Sequence, residues 1–287
     1  MIETETRIYD FADLPELAAY RARNGSELYV RHYPAESERV MILLHGISED
    51  SKYLHRFAQF VATNGLAQVY VPDLRGYGQS PERRGDIDYI GQTEDDLDDL
   101  IAWIRERGQT GNIILAGHSA GGGTAIRYAG SRRGDRINAY LLLAPAIPNS
   151  PVERKGGPDN PIRIRMGRIV GLMLLNAIGV RRFNGAITMV NQKPESLRHG
   201  TETLSLSFRL MLSRVPRMNY AQDISALDRP TLVLIGERDE VFHADRYEAL
   251  FAQHTKAETQ VIPDADHDGL LFDKAAHQAT ASWLARL

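Results

Sequence analysis

Short apolar runs rich in β-branched residues alternate with longer amphipathic stretches along this chain, and no other feature restricts its folding so strongly. The runs fall at residues 28–33, 40–44, 67–71, 112–116, 139–143, 231–235 and 259–262. From residue 40 onward they read as strands buried on both faces, the signature of a parallel sheet. Between them, residues 53–63, 92–107, 120–131, 244–253 and 269–286 read as helices. In the second of these, Leu97, Leu100, Ile101 and Ile104 recur at helical spacing, and Gly108 follows as a stop. Such alternation implies right-handed crossovers with helices on both faces of the sheet. The early runs 28–33 and 40–44, joined by Pro34-Ala35-Glu36-Ser37, are expected to form an antiparallel lead-in.

A chain of 287 residues suits one large α/β domain with an insertion. The net charge of −3 argues against a dedicated nucleic-acid binder. Without cysteine, thiolate catalysis, disulfides and zinc–thiolate sites are excluded. The start, residues 1–7, has neither the basic nor the apolar region of a secretory signal, and no apolar run is long enough to span a bilayer. The expectation is a cytoplasmic enzyme with no nucleic-acid partner.

The rhythm breaks between residues 146 and 225. No strand-like run is evident there, Pro145, Pro148, Pro151, Pro158 and Pro161 punctuate the entry, and the remainder reads as helical at 164–178, at 196–213 and in a turn near Tyr220. This segment carries a net charge of +7 against −10 for the rest of the chain. An insertion between strands of a parallel sheet belongs over their carboxyl ends, where ligands bind. The expected division is therefore a core (1–145 and 226–287) interrupted by a cap (146–225).

Chemistry concentrates at Gly117-His118-Ser119-Ala120-Gly121, which follows the run 112–116 and opens the helix that begins at Ala120. In a G-x-S-x-G nucleophile elbow the strand-to-helix turn is so tight that only small residues fit beside the serine. The helix N-terminus then directs free N–H groups and a positive dipole end toward any oxyanion formed there.

A serine hydroxyl needs a base, and the base needs an orienting carboxylate. After the run 231–235 comes Gly236-Glu237-Arg238-Asp239-Glu240, and after 259–262 comes Pro263-Asp264-Ala265-Asp266-His267-Asp268-Gly269. Asp239 and His267 thus occupy successive loops at strand carboxyl ends, in the order serine, acid, histidine. Glu237 and Glu240 compete with Asp239, while Asp264, Asp266 and Asp268 crowd the histidine. His118 is expected to point away from Ser119. No histidines stand at metal-ligand spacing. Two donors must hold the oxyanion. Ala120 N–H follows the nucleophile, and Ile47 N–H lies in His45-Gly46-Ile47 directly after the run 40–44, where Gly46 lets the backbone approach.

These segments, with Glu49-Asp50-Ser51-Lys52-Tyr53 and Pro72-Asp73-Leu74-Arg75-Gly76-Tyr77-Gly78-Gln79-Ser80, resemble the monoglyceride lipase and lysophospholipase branch of the α/β-hydrolases across roughly residues 25–145 and 227–287. The resemblance implies the α/β-hydrolase fold: a mostly parallel central sheet flanked by helices, with a helical cap inserted after the sixth strand. It implies ester hydrolysis through an acyl-serine without a cofactor or metal. Ser119 would be the nucleophile, His267 the base, Asp239 the orienter, and Ile47 and Ala120 the oxyanion hole. Two departures stand out. Tyr77 replaces the usual histidine of the D-x-R-G-H-G-x-S loop, and Ala120 replaces the commoner methionine of the elbow.

The expected substrate is a small-molecule ester, monoacylglycerol-like or of medium chain length. Peptidase action on small amides, lactonase action and a non-catalytic receptor role remain as alternatives. Haloalkane dehalogenation is disfavoured, since it requires aspartate where Ser119 stands. Within the cap, residues 166–180 are apolar nearly all round and flanked by Arg163, Arg165, Arg168, Arg181 and Arg182. Such a segment suits an acyl pocket or transient contact with an anionic membrane, and equally an ordinary packed helix.

Overall fold

The computed structural model describes residues 11–80, 82–154 and 161–287; the start at residues 1–7 and Pro158 lie outside them. The first part of the core runs β1 (Leu17–Arg21), β2 (Glu27–Tyr33), β3 (Val40–Leu44), α1 (His55–Thr63), β4 (Gln68–Asp73), α2 (Gln92–Glu106), β5 (Ile113–His118), α3 (Ala120–Ala129) and β6 (Ala139–Leu143). The insertion follows with β7 (Ile162–Ile164), α4 (Met166–Ala177), β8 (Ile187–Asn191), β9 (Ser205–Ser207), α5 (Phe208–Ser213) and α6 (Tyr220–Ser225). The chain then returns through β10 (Thr231–Gly236), α7 (Tyr247–Ala252), β11 (Glu258–Ile262) and α8 (Lys274–Leu284).

The main sheet has eight strands in the order β1-β2-β4-β3-β5-β6-β10-β11. From β4 to β11 every neighbouring pair is parallel, while β2 pairs antiparallel with both β1 and β4. The antiparallel lead-in is therefore real, but 28–33 does not pair with 40–44 as expected. Its partners are β4 and the unanticipated β1, whose Leu-Ala-Ala-Tyr-Arg is poor in β-branched residues. Strands β3, β5 and β6 are buried at every position, as a parallel sheet covered on both faces requires. By contrast β11, expected to be buried, is the edge strand and leaves Glu258, Gln260 and Val261 exposed.

Strand order places the site. The chain moves from β3 to β4 on one side, then crosses back to β5 on the other, so loops leaving β3 and β5 diverge at a topological switch point. Leu44 pairs with Gly117, which brings the carboxyl ends of β3 and β5 level. Gly236 pairs with Ile262, which does the same for β10 and β11.

The insertion enters after β6, the sixth strand, as expected, and its described residues include helices α4, α5 and α6. It also contains a small antiparallel sheet in the order β7-β8-β9, which the sequence does not announce. Two of these strands have three residues each, too short to show a period, and β9 lies inside the 196–213 stretch that reads as helical. Backbone bonds from Thr203 N–H to Ser48 O (3.1 Å) and from Ser207 N–H to Gly85 O (2.8 Å) seat the insertion on the loops after β3 and β4. Arg209 adds a two-pronged pair with Asp86.

Candidate active site

Ser119 stands between β5 and α3 with φ 54° and ψ −119°, a left-handed conformation that a non-glycine residue adopts at a cost. Neighbouring elements impose it. Ser119 N–H donates to Leu143 O of β6 (2.9 Å), and Ser119 O accepts from Gly123 N–H and Ala146 N–H. The glycines around it are spacing devices. A Cβ on Gly117 would lie 2.3 Å from the Gly121 carbonyl carbon, and one on Gly121 would lie 2.1 Å from Leu44 O. All ten residues of α3 are buried, so the helix lies directly against the sheet. Ala120, the first residue of α3, has an N–H with no acceptor inside the helix.

His267 Nδ1 meets Asp239 Oδ2 at 2.8 Å, and both residues are buried. The other carboxylate oxygen, Oδ1, accepts Val241 N–H (2.8 Å) and Phe242 N–H (2.7 Å), so the Asp239 side chain is fixed at both ends. Four of the rival acids have other work, and Asp268 acts on His267 by its charge. Glu240 accepts His267 N–H (3.1 Å), Glu237 accepts Asp264 N–H (3.2 Å), and Asp266 accepts Gly269 N–H (2.7 Å). Asp264 pairs at the surface with Arg238. Burial by itself would lower the His267 pKa, but the hydrogen bond and charge of Asp239, aided by Asp268 and Glu240, raise it to about 9. With Nδ1 engaged, Nε2 is the nitrogen left to accept a proton.

His118 does not stand apart from this group. It is buried with its ring centroid 4.8 Å from that of His267, and its Nε2 lies 3.1 Å from His267 O. Burial, then the neighbouring His267, lowers its pKa to about 4, so it packs as a neutral ring. His118, His267 and Asp268 bring possible ligand atoms within 4.8 Å of one another, the one such group among the described residues. Asp239 already holds His267 Nδ1, which leaves Nε2 as the nitrogen either a proton or a metal would take.

The loop after β3 is organised peptide by peptide. His45 Nε2 accepts Leu74 N–H (3.3 Å), which leaves the proton on Nδ1 to donate to Gly46 O (2.8 Å). Because the Gly46–Ile47 peptide is trans, holding its carbonyl toward the buried His45 ring turns Ile47 N–H the opposite way. The preceding peptide presents His45 O to Arg214 and Gly46 N–H to Glu49 Oε2 at 3.1 Å. A Cβ on Gly46 would lie 2.7 Å from that oxygen and 3.5 Å from Ser119 Cβ, so the loop passes beside the candidate nucleophile.

Sequence reasoning passed over Glu49. Burial and the charge of Asp268 raise its pKa to about 8, against the opposing pull of Lys193, His267 and Gly46 N–H. Lys193 comes from the insertion and donates to Tyr53 Oη (2.7 Å), which in turn donates to Glu202 (2.6 Å). Glu49 and Tyr53 stand in a segment that carries the resemblance, but the resemblance assigned them no role. The Asp73–Ser80 loop, in contrast, is scaffolding. Asp73 accepts Ser51 N–H (2.9 Å) and Gln79 N–H (2.8 Å), and Arg75 forms a buried two-pronged pair with Asp96. The loop needs Gly78 because φ is 54° there and a Cβ would lie 2.2 Å from the Asp73 carboxylate.

A family model described as serine aminopeptidase, S33, matches residues 35–275. The AB hydrolase superfamily protein YisY of Bacillus subtilis (strain 168) is 26% identical over 243 residues, covering 79% of this chain and 84% of its own. Two solved structures share the fold. A soluble variant of monoglyceride lipase from Saccharomyces cerevisiae superposes with a TM-score of 0.67 at 17% identity, covering 95% of this chain and 96% of its own. The monoacylglycerol lipase of Paleococcus ferrophilus gives a TM-score of 0.68 at 21% identity, covering 90% of this chain and 98% of its own.

Proposed function

The chain belongs to this serine aminopeptidase S33 family of α/β-hydrolases, and on that basis we propose that it is a carboxylic-ester hydrolase working through an acyl-serine. Ser119 Oγ attacks the ester carbonyl while His267 Nε2 takes its proton. Ile47 and Ala120 N–H hold the resulting oxyanion. Collapse of the tetrahedral intermediate breaks the bond to the leaving alcohol, which receives the proton from His267. Water repeats the sequence on the acyl-enzyme, releasing the acid and restoring Ser119. Asp239 keeps the imidazole in the tautomer whose Nε2 is free. The single observation that carries this reading is the buried 2.8 Å contact between His267 and Asp239, with Glu237 and Glu240 holding backbone N–H groups instead.

For substrate we propose monoacylglycerol-like or medium-chain esters, with the core at 1–145 and 226–287 and the cap at 146–225. Support comes from the two lipases that share the fold and from the surface of α4. Met166, Val170, Leu174 and Ile178 recur every four residues and are 59, 52, 66 and 74% exposed, while Ile169 and Leu172 on the opposite side pack inward. Arg163, Arg165, Arg168, Arg181 and Arg182 border this stripe and are exposed. Such a surface suits transient contact with an anionic lipid interface. Among the described residues, no helix is long and apolar enough to cross a membrane. Hydrolysis of small amides is the second reading, drawn from the family's description.

The test is turnover of p-nitrophenyl esters from acetate to palmitate by wild type and Ser119→Ala, alongside aminoacyl p-nitroanilides. A medium-to-long-chain optimum lost in the variant supports the reading. Serine-dependent turnover of the anilides alone replaces the ester by the amide, and turnover that persists in Ser119→Ala removes Ser119 as nucleophile.

A further inference from the structure

Arg214 follows α5 in the insertion and is fully buried, yet among the described residues no carboxylate pairs with it. Its guanidinium donates from Nη2 to His45 O (2.5 Å) and from Nε to Thr124 Oγ1 (3.1 Å). The group lies over Tyr77, 4.9 Å from the ring centroid. Arg214 Nη1 and Tyr77 Oη are both buried with no partner of full hydrogen-bond geometry, and the guanidinium and the phenol interact with each other. A guanidinium is not deprotonated in proteins, so this is a buried cation, and the charges that favour it are those of Tyr77 and then Glu49, across the His45–Gly46 peptide. Burying it is expensive, since the charge gives up its hydration.

Its two contacts reach the two backbone segments on which the proposed oxyanion hole depends. His45 O belongs to the peptide immediately before the one that carries Ile47 N–H, and Gly46 N–H on its far side donates to Glu49. Thr124 Oγ1 donates to Ala120 O (2.8 Å), which ties Arg214 to the first turn of α3. One side chain from the insertion therefore spans the loop after β3 and the helix after the elbow.

We propose that Arg214 is the positioning residue of the oxyanion hole, holding the Gly46–Ile47 loop and the Ala120 turn in register and lending the transition state a buried positive charge. The inference rests on the acyl-transfer reading above. It makes seating of the insertion a condition for catalysis as well as for substrate binding. Charge that acts on the oxyanion and hardly on the neutral ester raises kcat with little effect on KM.

The experiment compares wild type, Arg214→Met, Arg214→Lys and Thr124→Val on p-nitrophenyl butyrate, with folding followed by circular dichroism and with the affinity of an alkyl trifluoromethyl ketone as a mimic of the tetrahedral state. Arg214→Met should lose about 100-fold in kcat with KM changed by about threefold or less, and its affinity for the ketone should fall in proportion. Arg214→Lys should recover part of both. If Arg214→Met does not fold, Thr124→Val carries the test through the core-side partner, with an expected loss of about tenfold in kcat. A folded Arg214→Met with wild-type kcat overturns the proposal, as does a loss of kcat with undiminished ketone affinity, or an indifferent Thr124→Val where it is the only folded variant. Labelling by a fluorophosphonate separates the two levels. A wild type that neither labels nor hydrolyses any ester refutes acyl transfer and this inference together, whereas a labelled, active wild type beside an equally active Arg214→Met refutes the role of Arg214 alone.

Discussion

Asp239→Asn puts the most weight on the geometry of the site. Asp239 Oδ1 accepts two backbone N–H groups, from Val241 and Phe242, and Oδ2 accepts His267 Nδ1. An asparagine has one acceptor oxygen and one NH2 group to fill these positions. Turning the NH2 toward Val241 and Phe242 would leave two buried donors unsatisfied, at about 1–3 kcal/mol each. The oxygen therefore stays on the backbone, and the NH2 faces His267 Nδ1. That favours the imidazole tautomer with its proton on Nε2, which cannot take a proton from Ser119. A penalty of about 2–6 kcal/mol corresponds to a population factor of about 30 to 3 × 10⁴, and kcat/KM at neutral pH should fall by a factor in that range.

The pH profile gives a second reading of the same change. In the wild type Asp239 helps to raise His267 to about 9, and only the neutral imidazole is a base. Activity should therefore be low at acidic pH and rise on an alkaline limb approaching 9. Without the carboxylate, burial is left as the largest influence and lowers the pKa, so the residual activity should rise at lower pH. Measuring kcat/KM for p-nitrophenyl butyrate from pH 5 to 10 tests both statements. An Asp239→Asn enzyme within tenfold of wild type with its limb unmoved, beside a Glu240→Gln enzyme that collapses, would refute the reasoning and transfer the orienting role to Glu240.

Two glycine substitutions should separate fold from chemistry. Gly121→Ala places a methyl 2.1 Å from Leu44 O and 2.8 Å from His45 O, both backbone atoms. It should cost about 3 kcal/mol of stability in a denaturant melt, and a wild-type melting profile would contradict the close packing of α3 on β3. Gly46→Ala meets a movable Glu49 side chain 2.7 Å away, so it should melt close to wild type but lose kcat. Equal kcat would mean that the loop beside Ser119 plays no part in the reaction. On α4, the pair Val170→Ser and Leu174→Ser should weaken sedimentation with phosphatidylglycerol vesicles while sparing hydrolysis of soluble p-nitrophenyl butyrate. Unchanged vesicle binding would dismiss the α4 surface as a lipid contact.

The elbow, the parallel sheet and the point of insertion are all visible in the order of the residues. Each rests on local physics: fully buried strands need continuous apolar runs, a strand-to-helix turn around Ser119 needs glycines, and an insertion interrupts a period. Asp239 and His267 could be named as candidates because each occupies a loop directly after a strand. The choice among neighbouring acids could not be settled in this way. Asp239 and Glu240 are adjacent in sequence, and only packing turns one toward the imidazole and the other toward the His267 backbone. Short strands such as β7 and β9 are stabilised by partners rather than by pattern, so they left no period to read. Glu49 and Arg214 are ordinary charged residues in the chain, 165 positions apart by their numbers. Tertiary structure alone brings them to opposite sides of the His45–Gly46 peptide, because burial and hydrogen-bond direction arise between segments distant in sequence.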